Sequence, residues 1–288
     1  MTKKRNFYKI SVWGTGNVAL RLSIALKQAG HFLEYVCGRD EDSGNKIVRI
    51  LNKEEEGQNP FSQNTNFTND YTRLTESEVL ILAVSDDAIE ELSHKFSLLF
   101  EASEFKADNN FRTPLVVHTS GASSMNCLSQ NRHFGVFYPL MTLSKIKPVD
   151  FKIIPFLLEG SDSESEKILA DLAFSLGSEY RLCDSSERLR THLAAVYVSN
   201  FINYLAGLAF DLAKPNHVFL MPLAIETVRK AFLYEHPSGV QTGPAKRGDL
   251  KTINKHLSVL KDYPEHETVY RMLTNLILEI SGHKRIKL

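Results

Sequence analysis

Apolar and polar positions follow one rhythm in the first two thirds of the chain and another in the last third. Between Tyr8 and Trp13 apolar residues alternate as in a strand; Val18, Leu22, Ala25, Leu26 and Ala29 then recur at helical spacing. This predicts a strand followed by a helix over about 17–29, which Gly30 ends. A second strand is expected at 32–37, a helix at 44–53 and an exposed loop over the polar run 54–66. Val79-Leu80-Ile81-Leu82-Ala83-Val84 is continuously apolar, as a strand covered on both faces should be. A helix at 88–100 and strands at 115–118, 135–137 and 153–158 come next, then a helix at 164–176 and a short strand at 179–182.

Beyond Asp184 the strand rhythm stops. Helical spacing covers 186–213, 222–234, 250–261 and 265–281, with Asp184 and Glu187 as a capping pair and Pro215 as a stop. The whole pattern predicts an α/β fold. A doubly wound parallel sheet occupies 1–184, and an all-helical domain occupies 185–288. No internal repeat or low-complexity tract interrupts it.

Bulk properties narrow the class. A length of 288 residues suits two domains with separate cores. Lys and Arg total 34 and so do Asp and Glu, which argues against a nucleic-acid partner. The basic ends, Lys3-Lys4-Arg5 and Lys284-Arg285, read as solvated tails. Cys37, Cys127 and Cys183 are scattered and odd in number, giving neither a disulfide framework nor metal-ligand spacing. No metal is expected, and a reducing cytoplasm is. The charged start runs into a short strand rather than a secretory leader. Residues 193–213 are long and apolar enough to raise a membrane span, but Ser199, Asn200, Asn203 and Asp211 lie among them. A buried helix of a soluble domain, with no membrane partner, is the expectation.

The chemistry begins between the first strand and helix. Gly14-Thr15-Gly16-Asn17-Val18-Ala19 has the Gly-x-Gly-x-x-Ala spacing of a dinucleotide-binding turn. Gly14 permits the turn, Gly16 lets backbone approach a diphosphate, and Ala19 lets helix pack on strand. The diphosphate would rest on free N–H groups at the helix start. The second strand ends Cys37-Gly38-Arg39-Asp40, with a cation where NAD sites place an acid. Arg39 beside Gly38 favours NADP through its 2′-phosphate. Asp40 keeps NAD as the alternative, since a two-residue slip would restore the acid. Val84, Ser85 and Asp86, and Thr119 and Ser120, follow strands and are candidate ribose and nicotinamide contacts; ordinary turn chemistry is their other reading.

Two further segments carry candidates. Over 186–213, about 42 Å of helix, the residues His192, Ser199, Asn200 and Asn203 project as a polar stripe. His192 is a candidate proton donor to a carbonyl or imine. Asn200 is placed to orient substrate or bond a developing oxyanion, and Asn203 to contact substrate. The alternative is that they bridge neighbouring elements. In the run 241–249, Lys246 and Arg247 are candidate cations for a substrate carboxylate or phosphate, or plain solvated charges, and Asp249 is placed to cap the next helix.

Taken together these segments resemble the 6-phosphogluconate dehydrogenase-like superfamily. That group includes β-hydroxyacid dehydrogenases, pyrroline-5-carboxylate reductases and deazaflavin-dependent NADP oxidoreductases. A closer resemblance is to NADP oxidoreductases that join a Rossmann-like domain to a helical C-terminal domain of unknown function. It is carried by residues 14–19, Leu82 to Ile89, His118 to Gly121, Tyr138-Pro139-Leu140, His192 to Ala195 with Asn200, and Thr242-Gly243-Pro244 with Arg247 and Asp249. The resemblance implies a dinucleotide in the N-terminal crevice, a site where the domains meet, and a homodimer formed largely through the helical domain. One departure matters. Hydroxyacid dehydrogenases carry Lys-x-x-x-Asn on a helix; with Asn200 as that Asn, Val196 takes the lysine position. Their acid/base mechanism therefore cannot simply be carried over, and His192, one turn earlier, is a candidate substitute that the resemblance does not itself imply.

The expected function is NADP-dependent hydride transfer to or from a small, anionic carbonyl or imine compound. A dinucleotide-binding sensor without turnover is the rival, and a deazaflavin is a candidate second cofactor.

Overall fold

In the computed structural model, which describes residues 6–53, 64–106, 112–233 and 236–287, the first rhythm becomes eight strands. They are β1 (Lys9–Trp13), β2 (Phe32–Cys37), β3 (Asn66–Thr68), β4 (Val79–Leu82), β5 (Leu115–His118), β6 (His133–Pro139), β7 (Phe156–Gly160) and β8 (Tyr180–Leu182). Helices α1 (Asn17–Gln28), α2 (Glu41–Lys53), α3 (Asp86–Lys106) and α4 (Ser163–Ser175) alternate with them. One sheet results, ordered β3-β2-β1-β4-β5-β6-β7-β8. The order reverses between β1 and β4, so the chain leaves in opposite directions on either side of that pair. A crevice opens there at the carboxyl ends of the strands.

Both sheet faces are covered. Ile10, Val12, Ile81 and Val117 pack with Leu22 and Leu26 of α1 and Leu169 and Leu172 of α4. The alternate positions Trp13, Leu80, Leu82 and Val116 pack with Ile89, Phe96 and Phe100 of α3. Period-two alternation sends successive side chains to opposite faces, and here each face is apolar.

Two departures from expectation are physical. β7 runs antiparallel to β6, because the connection 140–155 holds only one short 3-10 turn, Phe151–Ile153, and no crossover helix returns the chain. The expected loop ends early, since Asn66–Thr68 pairs with β2 as an edge strand. Thr65 before it is fully buried, its hydroxyl donates to Leu33 O at 2.9 Å and Asn52 brackets its backbone. Asn66-Phe67-Thr68 continues the polar run before it, so its composition does not mark it as a strand. Residues 54–63 of that polar run and the basic stretch 3–5 lie outside the described residues.

The chain divides into two compact units, Met1–Ser199 and Asn200–Leu288. Helix α5 (Ser185–Val196) belongs to the first; α6 (Ile202–Ala213), α7 (Met221–Leu233), α8 (Pro244–Arg247), α9 (Leu250–Leu260) and α10 (Pro264–Ile280) belong to the second. Asp184 caps α5 by accepting from Glu187 N at 2.8 Å, as the sequence suggested. In the second unit Ala245, Ile253 and Leu278 form a small core with Leu257, Tyr270 and Ile277. The expectation of a buried helix over 193–213 is corrected. The stretch remains long and apolar enough to cross a membrane, yet none of its apolar window is buried, and neither α6 nor α7 contains a buried residue. Periodicity reports which side chains avoid water, not which partner covers them.

Two imidazoles are fully enclosed. His31 lies against Phe7 and Tyr8 with Nε2 2.8 Å from Ser175 Oγ. His118 ends β5 with its Nδ1 accepting from Ser120 N at 3.1 Å. Burial lowers both from 6.5 to about 4, with the Arg188 charge assisting at His118. Below pH 6.5 the unfolded chain takes up protons that the folded chain refuses. The stability present above pH 6.5 is therefore lost as pH falls toward 4, at roughly 2 kcal/mol per histidine by pH 5. Urea midpoints should drop between pH 7 and pH 5, and His31→Phe should flatten that slope. An unchanged slope in the variant would remove His31 from the account.

Candidate functional site

The turn after β1 is built by close approach. Gly14 sits at φ +142°, and a Cβ there would lie 2.1 Å from Ala83 O. Its N–H donates to Cys37 O at 2.8 Å. Two residues on, Gly16 begins α1 at φ −82°, a conformation open to any residue. A Cβ on Gly16 would meet nothing within 4 Å. The protein itself does not require glycine at this position; a ligand lying against the backbone would. No side chain caps α1 and its first turn carries no acid. The first N–H groups and the positive end of the helix dipole are thus available to an anion. These features fit a dinucleotide diphosphate. Ala19 is fully buried in the core, so its part is helix–strand contact and it does not face the opening.

A cleft of about 770 Å³ lies over this turn. Gly14, Thr15, Gly16, Asn17 and Val18 line it from one side, and Gly38 and Arg39 from the end of β2. Val84, Ser85 and Asp86 enter after β4, Thr119 and Ser120 after β5, and His192 from α5. Tyr71, Lys95, Gly121 and Tyr138, which the sequence did not mark as site residues, line it too, as does Asp40. Nothing local marks these residues as neighbours; Tyr138 was visible only as part of a Tyr-Pro-Leu motif. A larger groove, about 1030 Å³, opens at the amino ends of the strands beside Tyr8, Glu78 and His133. The helix start there is already capped, since Asp162 accepts from Glu164 N and Ser165 N at 2.9 and 2.8 Å. The carboxyl-end cleft, with its free helix start, is the better ligand site.

At the β2 end no carboxylate faces a ribose from the strand. Cys37 is fully buried, and burial pushes its thiol up, so it stays uncharged. Asp40 accepts from Ser43 N at 3.0 Å and so caps α2. That hydrogen bond holds its exposed carboxyl below the usual range. Arg39 is exposed at the cleft.

After β5 the turn reading accounts for part of the polar set. Ser120 Oγ accepts from Ala122 N and Ser123 N at 3.1 and 2.9 Å, which leaves its own proton to donate. At that end of the cleft Tyr138 Oη lies 2.9 Å from His192 Nδ1. Burial pushes the Tyr138 phenol up, with Arg188 opposing.

The remaining candidates belong to the second unit. Asn200 and Asn203 are exposed, and so are Lys246 and Arg247 on α8. Asp249 caps α9, accepting from Thr252 N at 3.0 Å. The stripe drawn through His192, Ser199, Asn200 and Asn203 is corrected, because a π turn, Tyr197–Phe201, separates α5 from α6. The step of 3.6 residues per turn does not carry through it. Ser199 Oγ also donates to Ala195 O at 2.6 Å, within the helix.

Residues 154–277 match DUF2520, a domain of unknown function. No curated protein matches the chain. The chain is 33% identical to a Bacteroides fragilis protein described as a putative NADP oxidoreductase, over 95% of this chain and 98% of that one, with a TM-score of 0.78. A pyrroline-5-carboxylate reductase of Coxiella burnetii shares the fold at 13% identity, over 96% and 99% of the two chains, with a TM-score of 0.55. So does an imine reductase of Myxococcus stipitatus in complex with NAD+, at 11% identity over 98% and 97%, with a TM-score of 0.56.

Proposed function

From the premise that the chain belongs to the Rossmann-like, DUF2520-containing family of that Bacteroides fragilis oxidoreductase, we propose that it transfers hydride between NADP and a small, anionic carbonyl or imine compound. The observation that carries this reading is Gly16: a glycine with no conformational need, facing open cleft at an uncapped helix start. The nicotinamide ring supplies or accepts the hydride. Amides of residues 15–18 hold the diphosphate over the turn that Gly14 makes, and Arg39 pairs with the 2′-phosphate. Asp40, engaged at α2, does not compete for the ribose. Ser85, Asp86, Thr119 and Ser120, with Val84, contact ribose and nicotinamide, and His192 donates a proton to the substrate oxygen or nitrogen. The roles of Asn200 and Asn203 as substrate hydrogen-bonding groups, and of Lys246 and Arg247 as its countercharges, rest on chemistry alone. They are parts of the same proposal.

The setting proposed is a reducing cytoplasm, in keeping with three free cysteines. A homodimer is proposed through the second unit. Phe210, Phe219, Leu223, Ile225, Phe232 and Leu233 of that unit are all exposed, and a partner surface would take them out of water.

One set of measurements on the purified protein tests this. It should sediment at twice the mass of the 32.6 kDa chain and bind NADPH more tightly than NADH. Arg39→Ala should weaken NADPH by roughly 10–100-fold, the loss of a charge-assisted hydrogen bond of about 1.5–3 kcal/mol, and leave NADH nearly unchanged. Equal weakening of both would sink the 2′-phosphate role. A panel of keto acids and cyclic imines, with a deazaflavin included as co-substrate, should then reveal NADPH oxidation. Binding without oxidation across that panel would favour the sensor, and failure to bind either nucleotide would remove both readings.

A further inference from the structure

We propose that Tyr138 is a positioning residue that fixes His192 as the Nε2-protonated tautomer. The inference rests on the reading of His192 as the proton donor. It starts from a pair of side chains far apart in sequence. Tyr138 stands on β6 and pairs in register with Leu157 of β7, while His192 stands on α5. Tyr138 Oη and His192 Nδ1 are 2.9 Å apart, and their rings meet edge to face with centroids at 5.8 Å. The loop after β5 makes room for both. A Cβ on Gly121 would lie 2.5 Å from His192 Nδ1 and 2.8 Å from Tyr138 Cζ. Glycine at 121 is thus a condition of the pair, and all three residues line the cleft.

The direction of the hydrogen bond follows from chemistry. A phenol O–H is far more acidic than the N–H of a neutral imidazole, so O–H···N is the stronger arrangement. Burial keeps the phenol protonated, because it raises the Tyr138 pKa. A neutral imidazole carries one N–H. With Nδ1 accepting from Tyr138, that proton resides on Nε2. His192 then has its donor on the nitrogen that Tyr138 does not occupy, and its ring is held against rotation. Without Tyr138 both tautomers become accessible and the donor is misplaced for part of the time.

Nitrogen-labelled histidine makes this visible in the full-length protein without substrate or cofactor. Proton–nitrogen correlation spectra, at a pH where the ring is neutral, should show His192 Nδ1 unprotonated and Nε2 protonated. Loss of the signals in His192→Gln assigns them. Tyr138→Phe should shift the two nitrogens toward each other as the tautomers mix. Gly121→Ala should do the same by forcing the rings apart with both still present. A protonated Nδ1 in the wild type would overturn the proposal, as would a His192 spectrum unmoved by Tyr138→Phe. If one variant fails to fold, the spectrum of the other decides, and a protonated Nδ1 in the wild type overturns the proposal in either case. NADPH titration of the same sample is read separately, so failure of the cofactor reading stays distinct from failure of this one.

Discussion

Gly14→Ala is expected to cost roughly 3–5 kcal/mol of stability, from a strained backbone and an overpacked contact together. The new Cβ would lie 2.1 Å from Ala83 O and 2.8 Å from Ala83 C, at φ +142°. Neither side can yield cheaply. Trp13 and Leu82 are paired across β1 and β4, and Ala83 N donates to Trp13 O at 2.8 Å. Gly16→Ala makes the contrast, for a Cβ there meets nothing. Its stability should stay within about 1 kcal/mol of wild type, while NADPH affinity falls at least about tenfold, or 1.4 kcal/mol. Urea midpoints and NADPH fluorescence titrations separate the two. If Gly14→Ala proves as stable as wild type, the close approach to β4 is misread. If Gly16→Ala binds NADPH normally, the open space over α1 is not the diphosphate seat.

The second large effect is expected at a charge with no water around it. Arg188 is fully buried. It pairs with Glu159, and its Nη2 donates to Ser123 O at 2.6 Å and Ser185 Oγ at 3.1 Å. Glu159 also accepts from Ser185 N at 3.1 Å. One guanidinium thereby ties β7, the start of α5 and the loop after β5 together, the same loop and helix that bring Gly121 to His192. Arg188→Met leaves Glu159 without its countercharge and should cost about 3–5 kcal/mol. Adding Glu159→Leu should return part of that loss, because an apolar pair replaces an uncompensated charge. A loss under about 1 kcal/mol for Arg188→Met, measured by urea unfolding, would mean that water or rearrangement relieves Glu159 and that the network does not hold the loop.

Much of this protein was legible in its sequence because the signals are local. The limits of β2 and β5, the position of α1 and the glycine turn between strand and helix follow from period-two and period-3.6 patterns. Each of these reports one element's own backbone and burial. The fold class follows from their order. β3 escaped because Asn66-Phe67-Thr68 continues the polar run before it, so nothing in its composition sets it apart from a loop. The antiparallel turn of β7 escaped because the composition of 140–155 does not show whether a helix will form there. The stripe over 192–203 misled because a π turn changes the residue count per turn, and sequence offered no sign of it.

The site divides along the same line. Its nucleotide end lies in turns adjoining single strands, so the sequence could point to residues 14–18, 38–39, 84–86 and 119–120. The pairing of Tyr138 with His192 and of Glu159 with Arg188 joins residues 54 and 29 positions apart. Those contacts depend on strand order, register and the angle of α5, which arise only when the sheet is assembled. Sequence by itself determined which segments fold locally and what the first turn can hold. Only the tertiary structure decided which side chains meet, because a contact between distant residues is a property of packed elements rather than of either residue's neighbours in the chain.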